Sequence, residues 1–538
     1  MSSLGRASAL LAAGTMVSRV TGLLRTIVLV GVIGALGEAT DAFSLANQLP
    51  NDVFSLISVG VLTAVLVPQI VQAVAGEDGG SAFISKIFTA GTVVLLVTTT
   101  LAMLAAPWLI SLIMKATTTP PQQQLAVAFA YWCLPQIFFY GLYALIGETL
   151  NARRIFGPFT WAPVANNVIS IVGFLIVGFL FGTPLNTVED WTPERIAWLG
   201  ATATLGIAVQ AVILLVFWPR TRLALRPDFR WKGVGLGKVG KLAGWTTLMA
   251  LVSLVAGFYQ HSIALEASGS HASLTVMNNA WLIFMLPYSV IVLSIGTPYF
   301  TQLSEHAHAG RDDEVRRDIG RSIRTLGFFL MGALAAVLAA AIPASRVFTG
   351  SGSEAQAAAL VLVAYLVGLL PLAVLFIVQR TFYAYGDTRT PFLFTLFQSV
   401  LIVATAFGAN LLHQAGVVPL SALAATIALG QSLSSVIQTV VATILLSRRL
   451  NGIGAARWLL ALLRFVAAAV PAAAAGWGVF LLLGGTHGWT TVDRIPGAIG
   501  CIVIAPVVLA VYIGVLALLR APELDALKSL VRRFVPTR

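Results

Sequence analysis

The apolar positions of this chain fall in long unbroken runs, and short polar segments separate them. A bilayer-spanning helix needs about 20 mostly apolar residues. Fourteen runs reach that length, at about 8–36, 43–74, 84–114, 124–150, 159–183, 195–218, 236–263, 274–303, 322–344, 356–384, 390–412, 419–447, 457–484 and 497–520. Several are longer than needed, which predicts tilts, kinks or extension past the lipid. Helices are required because hydrocarbon offers no partner to an open strand. A membrane barrel would instead show alternating segments of about ten residues. The run after Arg6 lacks the short apolar core and small-residue cleavage site of a signal peptide, so it reads as the first permanent span.

Composition fits that pattern. Of the 538 residues, 58% are hydrophobic and 10% charged, with a mean hydropathy of +0.90. Soluble domains carry about 25% charged residues, so this chain could not cover a water-facing surface. The same numbers exclude disorder and a disulfide scaffold. Cys133 and Cys501 both lie in apolar runs and form no metal framework.

The net charge of +12 invites a nucleic-acid reading, which the placement of the charges opposes. With the N-terminus inside, 27 of the 33 Lys and Arg fall in cytoplasmic segments. Only Lys115, Arg195, Arg346 and Arg494 fall outside, and two lie within the first span. This is the positive-inside asymmetry, with both termini cytoplasmic and no nucleic acid as partner.

Proline spacing suggests an internal duplication. Pro68 and Pro298 are 230 residues apart, and Pro163 and Pro391 are 228 apart. The expected fold is therefore an all-α polytopic membrane protein of about 14 transmembrane helices. Two six-helix lobes form parallel repeats, with two additional C-terminal helices. The expected segments are an N-lobe at 1–218, a linker at 219–235, a C-lobe at 236–448, helices 13 and 14 at 449–520 and a basic tail at 521–538.

Arg19 and Arg25 sit near the centre of the first span. Charge at that depth costs about 2.5–3.5 kcal/mol per residue on insertion scales. Either each arginine is satisfied by an acid or by carbonyls, or both line a wet cavity that binds an anion. Guanidinium grips phosphate bidentately. On a straight helix the two side chains lie about 120° apart and roughly 9 Å along the axis, so they meet only if the helix bends near Gly22. Asp41 and Asn51 are assigned to the outer mouth of the first lobe, Asp41 as a gate residue or a solvated acid. Asp52 is a candidate partner for an intramembrane arginine. Glu148 and Asn151, before Arg153 and Arg154, suggest a local ion pair, and Arg380 is similarly placed. Asp387 and Arg389 belong to a Gly-Asp-Thr-Arg-Thr-Pro turn that they organise. The glycine-rich Gly233 to Lys238 lacks the pattern of a phosphate loop, and His306 and His308 lack zinc-site spacing. No catalytic motif stands out, so a transporter without a catalytic or ATP site is expected, rather than a membrane enzyme or a scaffold.

Ser18-Arg19-Val-Thr-Gly22-Leu-Leu-Arg25 resembles the opening signature of the MurJ/MviN family. Ala39-Thr-Asp41-Ala-Phe43, Leu49-Pro50-Asn51, Gly60 to Pro68, Leu150-Asn151-Ala152 and Phe382 to Pro391 are similar to the same family. The resemblance covers roughly residues 5–450. It implies the multidrug/oligosaccharidyl-lipid/polysaccharide exporter superfamily, with fourteen helices in two lobes. It also implies flipping of lipid II, the undecaprenyl-diphosphate-linked peptidoglycan precursor, with the lipid tail in a groove of helices 13 and 14. Membrane lipids, and cell-wall synthesis or division proteins, are the other partners it implies. Arg19 and Arg25 match family arginines that handle substrate, and Asp41 matches an acid near the gate. The chain departs from the family at three places. Phe54 and Ser55 stand where a basic pair is usual, Leu282 where many members carry an arginine, and Met285 where an acid follows. Gln260 and Gln398 stand nearest the sodium ligands of some members, which argues against a bound cofactor ion. The alternative is export of another polyprenyl-diphosphate-linked oligosaccharide or of drugs, and cavity arginines suit a cationic drug poorly.

Overall fold

The computed structural model describes residues 3–57, 81–114, 118–153, 155, 157–229 and 236–524. Over these residues the chain is helical, and no strand occurs among them. Thirteen helical stretches are long and apolar enough to cross a membrane, and each coincides with one of the fourteen runs in the sequence. The remaining run, at 43–74, begins within the helix Glu38–Ile57 and continues outside the described residues. Pro68, Arg154 and Gly233 also lie outside them.

The chain divides into two compact units, Met1–Ser270 and His271–Arg538. The first contains α1 (Ser3–Ile33), α2 (Glu38–Ile57), α3 (Ser81–Leu104), α4 (Ala106–Ile113), α5 (Pro120–Cys133), α6 (Gln136–Ala152), α7 (Gly157–Phe181), α8 (Pro193–Val216) and α9 (Leu236–Ala264). Here α7 packs on both α1 and α8, and α2 packs on α5 and α6. Phe43 meets Phe129 edge-on at 5.2 Å, and Phe129 meets Trp191 at 4.9 Å. α9 packs on α2 and α4 within this unit.

The second unit contains α10 (Leu274–Pro287), α11 (Ser294–His308), α12 (Asp312–Ala339), α13 (Ala341–Arg346), α14 (Gly352–Leu366), α15 (Leu369–Ala384), α16 (Arg389–Gln414), α17 (Leu420–Arg449), α18 (Ala455–Leu482) and α19 (Arg494–Leu518). A π-helical turn, Tyr288–Leu293, joins α10 to α11 directly after Pro287, where the proline lacks an N–H to continue the ladder. α18 packs on α12 and α19, and α17 packs on α14, α15 and α16.

Loops assigned to one side of the membrane meet one another within each unit. Among the loops of the first unit expected outside, Leu185 donates its N–H to the Val32 carbonyl at 2.9 Å, and Gln122 donates its side-chain amide to the Glu38 carbonyl at 3.0 Å. Among those expected inside, the Ser85 hydroxyl donates to the Ala224 carbonyl, and the Asp228 N–H donates to Thr89 Oγ1. In the second unit, buried Arg346 donates to the carbonyls of Thr491 at 2.9 Å and Val492 at 2.7 Å, in another loop expected outside. At the opposite end, Arg449 pairs with Asp387 at 2.7 Å, and Arg316 donates to the Leu450 carbonyl at 2.9 Å. An error of one span in the count would have mixed these loops.

Gly37 shows how tightly the loops of the first unit fit. Its φ is +148°, and a Cβ there would run into the Asn186 carbonyl oxygen. Strain of this kind costs on the order of 1–3 kcal/mol. Gly37→Ala is expected to lower the thermal unfolding midpoint of the detergent-purified protein, and an unchanged midpoint would contradict the packing described.

Asp387 organises its turn as the sequence implies. Its carboxylate accepts the Thr390 N–H at 3.0 Å and the Thr390 hydroxyl at 2.8 Å. Burial pushes the carboxyl up, but these bonds and the Arg449 guanidinium outweigh it and hold the group below its ordinary value. A depressed carboxylate contributes stability above its unfolded pKa of about 3.9 and loses it as pH falls through the folded value. Asp387→Asn should therefore be less stable than the parent at neutral pH. The difference should shrink only as the pH drops below about 4, which melting curves across the acid range would check.

Candidate substrate site and gate

α1 runs unbroken through Gly22, where a Cβ would lie 3.5 Å from the Asn167 side chain of α7. Asn167 Nδ2 donates to the Ser18 carbonyl and to Thr21 Oγ1, each at 3.0 Å. α7 therefore braces the turns of α1 that carry the two arginines. No break in α1 brings them together. Arg19 is exposed and Arg25 half-buried. Among the described residues neither has a carboxylate within ion-pair distance. Unpaired charge on a membrane-spanning helix is what a wet, anion-binding surface needs and what a lipid-facing surface would not tolerate.

Arg25 lies within electrostatic reach of Tyr140 on α6. Tyr140 stacks on Phe54 with ring centroids 5.7 Å apart. Phe54 and Tyr140 thus form an aromatic wall whose Tyr140 side lies within reach of Arg25. Polar side chains also pair between the helices of this unit. Gln136 donates to Asn47 Oδ1 at 3.2 Å and Thr204 Oγ1 at 3.1 Å, and Asn166 donates to Gln210 at 3.0 Å. The sequence reading missed these residues. Adjacent asparagines in the middle of an apolar run, Asn166 and Asn167, were the available signal.

Asp41 is 2% exposed, so the reading as a solvated acid does not hold. Its Oδ2 accepts the Ser268 hydroxyl at 2.7 Å. Ser268 Oγ accepts from Gln122 Nε2 at 2.9 Å, and Thr119 donates to Glu38 Oε2 at 3.1 Å. The end of α9 is thereby tied to α2 and α5. Asn51 does not join this network. It is exposed on α2, ten residues after Asp41, which is about 15 Å along the axis. Asp52 accepts a hydrogen bond from Gln48 one turn earlier on its own helix, and among the described residues it makes no ion pair with an arginine. Glu148 accepts from the Asn151 amide.

Arg380 lies among rings rather than beside an acid. Its guanidinium carbon is 5.1 Å from the Phe300 ring centroid, 5.2 Å from that of Phe376 and 6.0 Å from that of Tyr383. Gln260 is buried on α9, and Gln398 donates to Ser435 on α17 at 3.0 Å. Among the described residues no three His, Cys, Asp or Glu gather to hold a metal ion. An apolar cavity of about 530 Å³ lies against α18, lined by Ala473, Ala474 and Trp477 together with Leu338, Ile342 and Leu360.

Residues 30–496 match the family model described as lipid II flippase MurJ. The chain belongs to the lipid II flippase MurJ family. A relative from Synechocystis, described as a probable lipid II flippase MurJ, is 24% identical over 98% of this chain and 96% of its own. One from Vibrio cholerae, described in the same words, is 24% identical over 71% of this chain and 73% of its own. The solved structure of a lipid II flippase MurJ in an inward closed conformation aligns over 94% of this chain and 98% of its own, at 18% identity and a TM-score of 0.71. An inward-facing multidrug resistance MATE transporter aligns over 83% of this chain and 98% of its own, at 16% identity and a TM-score of 0.61. The chain therefore shares its all-helical, multi-span fold with both solved structures.

Proposed function

We propose that this protein flips lipid II from the inner to the outer leaflet of a bacterial cytoplasmic membrane, by alternating access between two six-helix repeats. Membership in the family supports the substrate. The pair of arginines on α1, without carboxylate partners among the described residues, is the observation that carries the chemistry. A diphosphate cannot shed its hydration into hydrocarbon cheaply. Guanidinium groups replace that hydration with charge-assisted hydrogen bonds, while Tyr140 and Phe54 offer a flat wall. A permanently open pore would leak ions, so access must alternate. Asp41, Ser268 and Gln122 are the proposed outer latch, which must open for release. A drug-exporter reading is less suited to these arginines, because cationic drugs would be repelled. The test is complementation: the gene should restore growth to a bacterium depleted of its own lipid II flippase, and failure at normal membrane levels of the protein would count against the assignment.

The proposed orientation puts both termini in the cytoplasm. Thr491 is nearly buried, so exposed Val492 and Ser353 are the better reporters of the outer face. Cysteines at these two positions should react with an impermeant thiol reagent in intact cells, and a cysteine at exposed Ala309 should not. The opposite labelling pattern would invert the topology.

A further inference from the structure

We infer that the inner-side end of the second unit carries a binding site for a phosphodiester anion, and that its occupant is the headgroup of an anionic phospholipid of the inner leaflet. A cavity of about 1060 Å³ opens there between the start of α12 and the start of α18. Its charged lining comprises His306, three acids and five arginines. All three acids are already engaged. Asp313 pairs with Arg316 at 2.7 Å, while Glu314 and Asp318 hold the two ring nitrogens of His306 at 3.0 and 2.8 Å. Arg324 pairs with Glu523 at 3.9 Å and donates its Nε–H to the Gly320 carbonyl at 3.2 Å. That leaves Arg317, Arg321 and Arg457 with no carboxylate partner among the described residues, and all three are exposed.

Two further features point to an anion. Gly454, Ala455 and Ala456 line the cavity, and they form the start of the 28-residue helix α18, which has no side-chain cap. Its first N–H groups and the positive end of its dipole therefore face an anion's position. Trp458, 6% exposed, lines the same cavity, and its buried indole N–H has no hydrogen-bond partner. The Cδ1 edge of that ring, next to the N–H, lies 3.8 Å from where a Cβ would stand on Gly320, itself a lining residue. Arg317, Arg321 and Arg324 recur at helical spacing along one face of α12, beside the apolar body of the span. Basic pockets between helices at the cytoplasmic membrane surface suit anionic headgroups. A soluble phosphate would meet the same donors but would gain nothing from their position at the start of two spans.

The test uses the full-length protein in nanodiscs of phosphatidylcholine doped with phosphatidylglycerol. Retained phosphatidylglycerol is counted by native mass spectrometry after release into detergent. The parent should retain phosphatidylglycerol over phosphatidylcholine, and R317Q/R321Q/R457Q should lose at least tenfold of that preference. Trp458→Phe keeps the ring and removes only the N–H, so it should weaken retention several-fold at an unchanged melting temperature. It serves as the check should the triple variant fold poorly. Equal retention by parent and Trp458→Phe, together with equal retention by a folded triple variant, would overturn the site. Displacement of the lipid by millimolar inorganic phosphate would overturn the lipid as occupant.

Discussion

Arg19→Ala and Arg25→Ala should each abolish complementation of a flippase-depleted strain while the protein still reaches the membrane in normal amount. Removing a charge from a spanning helix relieves an insertion cost of about 2.5–3.5 kcal/mol, so poor insertion is not an available explanation for lost activity. Neither arginine has a carboxylate partner among the described residues, so no described ion pair is broken. On the proposed function, what is lost is the contact with the diphosphate. Lysine at either position keeps the charge but not the planar fork, and should recover only part of the activity. Arg25 should be the more sensitive position, because the aromatic wall of Tyr140 and Phe54 stands beside it. Full growth with both alanines would remove the anion-binding role.

The largest stability effect should come from Arg346→Ala. This side chain is 4% exposed and donates to the carbonyls of Thr349, Thr491 and Val492. It joins the loop after α13 to the loop before α19. Thr349 and Thr491 are themselves buried, so their carbonyls would lose a partner with little access to water. Unsatisfied buried groups cost about 1–3 kcal/mol each, which places the total for these two at about 2–6 kcal/mol. Thermal unfolding of the purified protein should show a drop of several degrees. Arg346→Lys should fall short of full rescue, because one ammonium cannot reproduce the geometry of the fork. An unchanged melting temperature for Arg346→Ala would show that the clamp contributes nothing.

The spans were legible in the sequence because the bilayer imposes a length and a polarity on each one, residue by residue. The two arginines of α1 were legible for the same reason, since charge in an apolar run stands out. Arg346 was not. In the sequence it counts as one outer cation, and acceptance by backbone carbonyls leaves no pattern in side-chain identity. The role of Asp41 was equally hidden, because its partner Ser268 is 227 residues away and serine has no distinctive signal. Asp52 was given the wrong partner because opposite charge was weighed above helical spacing, and Gln48 stands one turn away on the same helix. Arg380 was read as a member of an ion pair for the same reason. Its aromatic surroundings come from α11 as well as from its own helix, and only the tertiary structure brings them together.

The central claim is tested most directly by depleting the protein from growing cells and measuring on which face of the membrane lipid II accumulates, with a reagent that modifies only the outer leaflet. The account predicts accumulation on the inner face, reversed by the parent gene and not by Arg25→Ala. Continued appearance of lipid II on the outer face at the normal rate, with the protein gone and no other flippase present, would contradict it.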